Sequence, residues 1–186
     1  YRDFEAFLAC AEQPELRFIV SNTTEAGISC RTEDRLEDCP AASFPGKLTQ
    51  LLWKRYQCFG QQKGKGFIVL SCELIDHNGQ ELKKCVQTYA GRWGLPEDFL
   101  NWLEEENVFC DTLVDRIITG YPKEDAERLN QENGVEDRLL DTGEPFAFWA
   151  IQGPEWMKQE LPFEQAGLPV VIVPDSSYYK KRKVRI

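Results

Sequence analysis

Three groups of residues in this 186-residue chain are of types that could do chemistry, and each also has an ordinary structural reading. The closing stretch YYKKRKVRI, residues 178 to 186, gathers Lys180, Lys181, Arg182, Lys183 and Arg185, five of the chain's 22 basic residues in nine positions. Such a run is a solvated tail, a nucleic-acid-binding arm or a localisation signal unless the rest of the chain gives it a partner. The string Asn22-Thr23-Thr24-Glu25 places amide and hydroxyl groups directly after the apolar run LRFIV. There they form either an Asx or Ser/Thr turn or the hydrogen-bonding rim of a ligand site. His77 is the single histidine and shares the chain with seven cysteines, the raw material for a zinc site or an activated thiol. The cysteines stand far apart with no CxxC pair, and no local signature couples one of them to His77, so neither a metal nor a thiol nucleophile is expected.

Charge narrows the choice for the tail. The chain carries a formal net charge of −9, and without its five terminal cations the remainder carries −14. A body of that sign repels phosphate beyond the reach of the tail, and no basic stripe interleaved with aromatics occurs elsewhere, so no nucleic-acid partner is expected. With 42% hydrophobic and 12% aromatic residues the chain can bury a core of one ordinary domain or a little more. No run approaches the roughly 18 apolar residues that span a bilayer, and the opening YRDFEAFLACAEQPE is acidic and amphipathic, unlike a signal region. Several cysteines fall where the pattern asks for an apolar residue, as Cys85 does between Leu82 and Tyr89. Thiols used in this way belong to a reducing compartment, so a soluble, cytoplasmic protein with no membrane partner is expected.

The elements that must position these groups follow an alternating order. LRFIVSNTT (16–24) predicts a buried strand that opens into a polar loop. Ser43 can cap a helix whose first turn holds Pro45 and whose one face is Leu48, Leu51, Leu52, Tyr56 and Phe59. Glycines at 60, 64 and 66 break the chain, and GFIVLSCELI predicts a second buried strand. Asn78 and Gly79 read as a turn before a helix carrying Leu82, Cys85, Val86, Tyr89 and Trp93, ending near Gly94. LPEDFLNWLEEEN predicts a short helix, and VFCDTLVDRIITGYP an extended segment broken by Pro122. Near-continuous apolar strands alternating with amphipathic helices predict an α/β fold with a parallel sheet covered on both faces. Such sheets bind ligands beyond the carboxyl ends of their strands. After Gly134 the pattern changes: EPFAFWAIQG and PVVIVPD predict strands around a short helical piece, a small β-rich extension.

A dinucleotide-binding half would add G-x-G-x-x-G between a strand and a helix, and that spacing is not found here. The glycine cluster GQQKGKG at 60–66 precedes a strand, which makes it a turn and not a phosphate cradle. Walker, G-x-S-x-G and H-E-x-x-H motifs are likewise missing from the chain. The residues alone leave open a stand-alone α/β binding module whose basic tail meets an acidic partner.

Six separated strings, FIVSNTTEAGIS, FPGKLTQLLWKRY, LSCELIDHNGQELKK, FCDTLVDRIITGYP, FAFWAIQGP and YYKKRKVRI, closely resemble the polyol-specific long-chain dehydrogenase family, in the family's order and along essentially the whole chain. The resemblance implies a partial Rossmann-like fold with NAD as cofactor, in which residues 1–140 are the second part of the dinucleotide-binding domain, 141–175 a β-rich extension and 176–186 a segment leading into a helical domain. Members are considerably longer, so the chain resembles an internal part of one. The implied activity is that of the uronate-reducing branch, tagaturonate to altronate with a small sugar acid as partner; mannitol dehydrogenase or fructuronate reductase activity is the alternative.

The family's general acid/base is a lysine followed after five residues by an asparagine and after three more by a histidine, and KVRI matches its start, which implies Lys183 as the catalytic residue. A lysine desolvated between domains and crowded by cations has its pKa drawn toward the working pH, which suits the role. Asp115 matches an aspartate near substrate, although an Asp115–Arg116 pair closing a strand reads equally well. Asn22, Thr23, Thr24 and Glu25 fall where the cofactor's nicotinamide ribose is implied. Where mannitol enzymes carry Asp-Asn after the cysteine of the second strand, this chain has Glu73-Leu74. Leucine cannot donate a hydrogen bond to an oxyanion, which favours a uronate-type relative.

Overall fold

The computed structural model describes residues 3 to 183, the side chain of Lys183 excepted. In chain order the elements are α1 (Phe4–Ala9), β1 (Phe18–Ser21), α2 (Phe44–Phe59), β2 (Ile68–Ser71), α3 (Asn78–Arg92), α4 (Glu97–Glu106), β3 (Val108–Asp115), β4 (Ile118–Gly120), α5 (Ala126–Asn133), β5 (Thr142–Gly143), β6 (Phe148–Gln152), α6 (Met157–Glu160), β7 (Val170–Val173) and α7 (Ser177–Lys183).

Five strands form the main sheet in the order β1-β2-β3-β6-β7. The first three run parallel, as their apolar runs predict, and every residue of β2 is buried because helices or side chains cover it on both faces. Val69 of β2 points into a core with Leu48 and Leu52 of α2, Leu82 and Val86 of α3, and Phe99 and Leu103 of α4. Its neighbours Ile68 and Leu70 point the other way, with Cys110, Ile151, Met157 and Ile172. Alternation along one short strand thus feeds two cores. Helices cover both faces, the first with three long ones and the second with the short α6 and the segment that follows it.

The strands expected as a separate β-rich extension continue this same sheet. β3 leaves at its carboxyl end, and the chain returns to that end through an excursion holding α5 and the small β4–β5 ribbon, without crossing the sheet. A returning strand can then lie only antiparallel, and β6 pairs with the outer half of β3 from Asp111↔Gln152 to Asp115↔Phe148. β7 adds parallel to β6 beyond it.

Local signals and tertiary contact divide the work at the helix starts. Ser43 caps α2 as its sequence suggests, its Oγ accepting from the Gly46 amide at 3.0 Å. At α3 the expected Asn-Gly turn is instead the first helical turn, and His77, left-handed at φ 53°, makes no side-chain cap. Asp111 of β3 caps the helix from outside, its Oδ1 accepting from the Gln80 amide at 3.0 Å and its Oδ2 from Gln80 Nε2 at 2.9 Å. That contact requires the helix to touch the strand, and a Cβ on Gly79 would collide with the Cys110 carbonyl. Gly79→Ala is therefore expected to destabilise the chain by about 1–3 kcal/mol. Gly91→Ala in the same helix, where the space is open, should be neutral or stabilising by about 0.5–1 kcal/mol. Urea unfolding of the two variants checks the contrast.

Arg55 of α2 is fully buried, and its five N–H groups are all used. Nε donates to the Lys65 carbonyl at 2.7 Å, Nη1 to Ala11 and Gln13 at 3.0 and 2.6 Å, and Nη2 to Pro14 and Leu16 at 3.3 and 3.1 Å. The guanidinium carbon lies 4.5 Å from the Phe59 ring centre and 4.8 Å from that of Phe67. The segment leading into β1 is thereby fastened to the helix that follows it.

Candidate functional site

Two neighbouring cavities open beyond the carboxyl ends of β1, β2 and β3, the position at which parallel α/β sheets bind ligands. The larger, about 760 Å³, is bordered by Asn22 after β1, Cys72 and Leu74 after β2, Asp115 and Arg116 at the end of β3, and Phe146. The second, about 510 Å³, is bordered by Glu73, Leu74 and Asp76 on one side, Thr112 and Val114 on another, and Lys180 of α7. Leu74 and Val114 belong to both, so an apolar partition separates two polar-rimmed spaces.

The frame around these spaces is a set of side chains that join neighbouring strand ends. Glu73 is buried, and Ser21 Oγ donates to its Oε2 at 3.0 Å, while the amide and Oγ1 of Thr23 donate to its Oε1 at 3.1 and 2.9 Å. Asn78 Nδ2 donates to the carbonyls of Glu73 and Thr112, each at 3.0 Å, and its Oδ1 accepts from the Thr112 amide at 2.9 Å. Asp111 Oδ2 meets His77 Nδ1 at 3.1 Å, which makes His77 a loop residue turned toward a helix start. Lys180 reaches Asp76 at 2.7 Å and ties α7 to the loop after β2.

Electrostatics separate these groups by role. Hydrogen bonding and attraction from Lys180 hold the Asp76 carboxyl below its ordinary range. Burial pushes the Cys72 thiol up, with a hydrogen bond from Thr112 opposing it, and burial pushes Cys110 up to about 12. Neither thiol is a ready nucleophile. The seven cysteines are free, two of them buried.

Asn22 and Asp115 border the larger cavity from opposite strands. Thr23 is held against Glu73, and Thr24 and Glu25 follow in an exposed loop. Lys183 ends α7, three residues after the tethered Lys180, and its side chain lies outside the described residues. Sequence reasoning did not single out Glu73 as a hub, nor Asn78, Asp111 and Lys180 as ties. The signal was a polar-rich string, SCELIDHNG, directly behind the apolar run FIVL.

Comparison with known proteins gives this arrangement relatives. The altronate oxidoreductases of Pectobacterium atrosepticum and Klebsiella pneumoniae are each 50% identical to the chain over all 186 residues, and the chain spans 38% of their length. A D-sorbitol dehydrogenase crystal structure superposes with a TM-score of 0.75 at 26% identity, covering 99% of this chain and 39% of that one. The Pseudomonas fluorescens mannitol 2-dehydrogenase ternary complex with NAD and D-mannitol gives 0.72 at 20% identity, covering 97% and 37%, a likeness of fold. The mannitol dehydrogenase Rossmann domain is matched by residues 1–165, and the chain belongs to the mannitol dehydrogenase family.

Proposed function

We propose that the chain forms the strand-end half of the active site of an NAD-dependent oxidoreductase that reduces the keto-uronate tagaturonate to altronate, reversibly. The observation that carries this reading is the unbroken 50% identity to altronate oxidoreductases along a chain whose polar residues gather at one edge of the sheet. The strand ends suit the nicotinamide end of a dinucleotide. Asn22 and Thr23 offer amide and hydroxyl groups, and Leu74, Val114 and Phe146 offer an apolar wall for a ring.

NADH, when bound, supplies the hydride that adds to the carbonyl carbon. The chain's own residues do the rest. Lys183 donates the proton that the carbonyl oxygen gains, becoming a neutral amine that water reprotonates. Asp115 accepts hydrogen bonds from substrate hydroxyls at the rim of the larger cavity. Asn22, Thr23, Thr24 and Glu25 orient the cofactor. Leu74 borders both cavities where a mannitol-type enzyme carries a donor, which favours a sugar acid over a neutral ketose.

The complete enzyme carrying this chain should oxidise NADH, followed by its absorbance, at least about tenfold faster with tagaturonate than with fructuronate or fructose at equal concentration. Faster turnover of fructose or fructuronate would replace this reading with the mannitol or fructuronate alternative.

A further inference from the structure

We propose that Glu73 is a positioning residue that sets the cofactor affinity of this site by fixing the loop after β1; the proposal rests on the oxidoreductase reading above. The carboxylate is 2% exposed, and its partners are two hydroxyls and one amide. All three donors belong to residues 21 and 23, on the far side of the crevice between β1 and β2. The residue between them is Asn22. Its two neighbours are bound to the same carboxylate, one to each oxygen, so its backbone is held at both sides while its side chain borders the larger cavity. Glu73 is itself anchored, because Asn78 binds its carbonyl and that of Thr112 together. The chain of contacts runs from β3 through Asn78 and Glu73 to the loop that presents Asn22.

The chemistry makes a carboxylate the right group for this task. Charge-assisted hydrogen bonds are stronger than neutral ones, and two acceptor oxygens can serve both anchor residues at once. Glutamine keeps one acceptor for the Thr23 amide and turns its NH₂ toward Ser21, whose hydroxyl can accept as well as donate. Leucine keeps the volume and loses every bond. Both carboxylate oxygens of Glu73 are taken up by Ser21 and Thr23, so its effect is expected to fall on the loop that presents Asn22, and through it on cofactor binding.

The test is steady-state kinetics of the complete enzyme with NADH and tagaturonate varied separately. Glu73→Leu is expected to raise KM for NADH by about tenfold or more, the scale of a lost charge-assisted hydrogen bond, with KM for tagaturonate within about twofold. Glu73→Gln should recover most of the loss. Ser21→Ala removes one donor of three without touching Thr23 and should raise KM for NADH about threefold, a milder variant that reads the same contact if Glu73→Leu folds poorly. An unchanged KM for NADH in Ser21→Ala overturns the proposal even where Glu73→Leu is unfolded, as does an equal rise in both KM values. Should the unmodified enzyme turn over no uronate or ketose, the oxidoreductase reading fails by itself. The positioning role is then read from hydrogen exchange, where faster exchange of the Thr23 amide in Ser21→Ala supports it and unchanged exchange sinks it.

Discussion

Lys183→Ala in the complete enzyme is expected to lower kcat for tagaturonate reduction by about 10²–10⁴-fold, the contribution of one positioned general acid. KM for NADH should move little, because in the proposed mechanism the amine meets the carbonyl oxygen and not the cofactor. The helix that bears Lys183 is held to the loop after β2 by the Lys180–Asp76 pair, which places Lys180 at the smaller cavity. The direction of reaction fixes the pH dependence. Reduction consumes the protonated amine, so its rate falls as pH rises through the lysine's titration, whereas oxidation needs the neutral amine and gains over the same interval. Loss of the opposite limbs from the two profiles in a Lys183→Ala enzyme is the signature. Near-normal turnover of that variant would remove the lysine from the mechanism, and the proton donor would have to be sought elsewhere along the rim.

The second large effect concerns folding. Arg55→Ala is expected to cost about 3–5 kcal/mol or more, since a buried cation serving five carbonyls is replaced by a void and those acceptors lose their partner. That is a large part of the roughly 5–15 kcal/mol that holds a domain together. Arg55→Lys should recover little, because an ammonium has three donors for five acceptors and no plane to lie against Phe59 and Phe67. Urea midpoints compare the variants, and hydrogen exchange of residues 11–17 reports whether the segment before β1 comes loose first. A loss below 1 kcal/mol in Arg55→Ala would mean that water satisfies those carbonyls as well as the guanidinium does.

How far the sequence carries depends on whether the cause of a feature is local. The α2 helix was readable because Ser43, Pro45 and the three-and-four spacing of its leucines all act within a few residues. The parallel core is readable because a central strand such as β2 is buried throughout and its run FIVL is apolar. Asn78-Gly79 was misleading, since the dipeptide is turn-like by itself, and only the approach of Cys110 makes the glycine a helix residue. The α5 helix, AERLNQEN, buries only Ala126 and carries too few apolar residues to mark a face. The place of β6 and β7 in the main sheet depends on which edge the returning chain meets, which no short string encodes.

At the site, Asn22 is legible from its place after an apolar strand, whereas Asp115 is implied only by the family resemblance; both border the larger cavity. Glu73 is not legible, because its donors lie 50 and 52 residues away, and a glutamate in a loop reads as surface until they are in place. Arg55 continues the stripe of Leu48, Leu51, Leu52 and Phe59, and a cation on an apolar stripe needs buried acceptors.

β3 is held along its whole length by two different partners, β2 against its first three residues and β6 against its last five. Removing or adding one residue within it would turn Asp111 away from α3 and swap the inward and outward sides of everything up to Asp115. A change in chain length is better tolerated in the excursion between Ile117 and Glu144, whose middle lies at the surface beyond the residues that line the larger cavity.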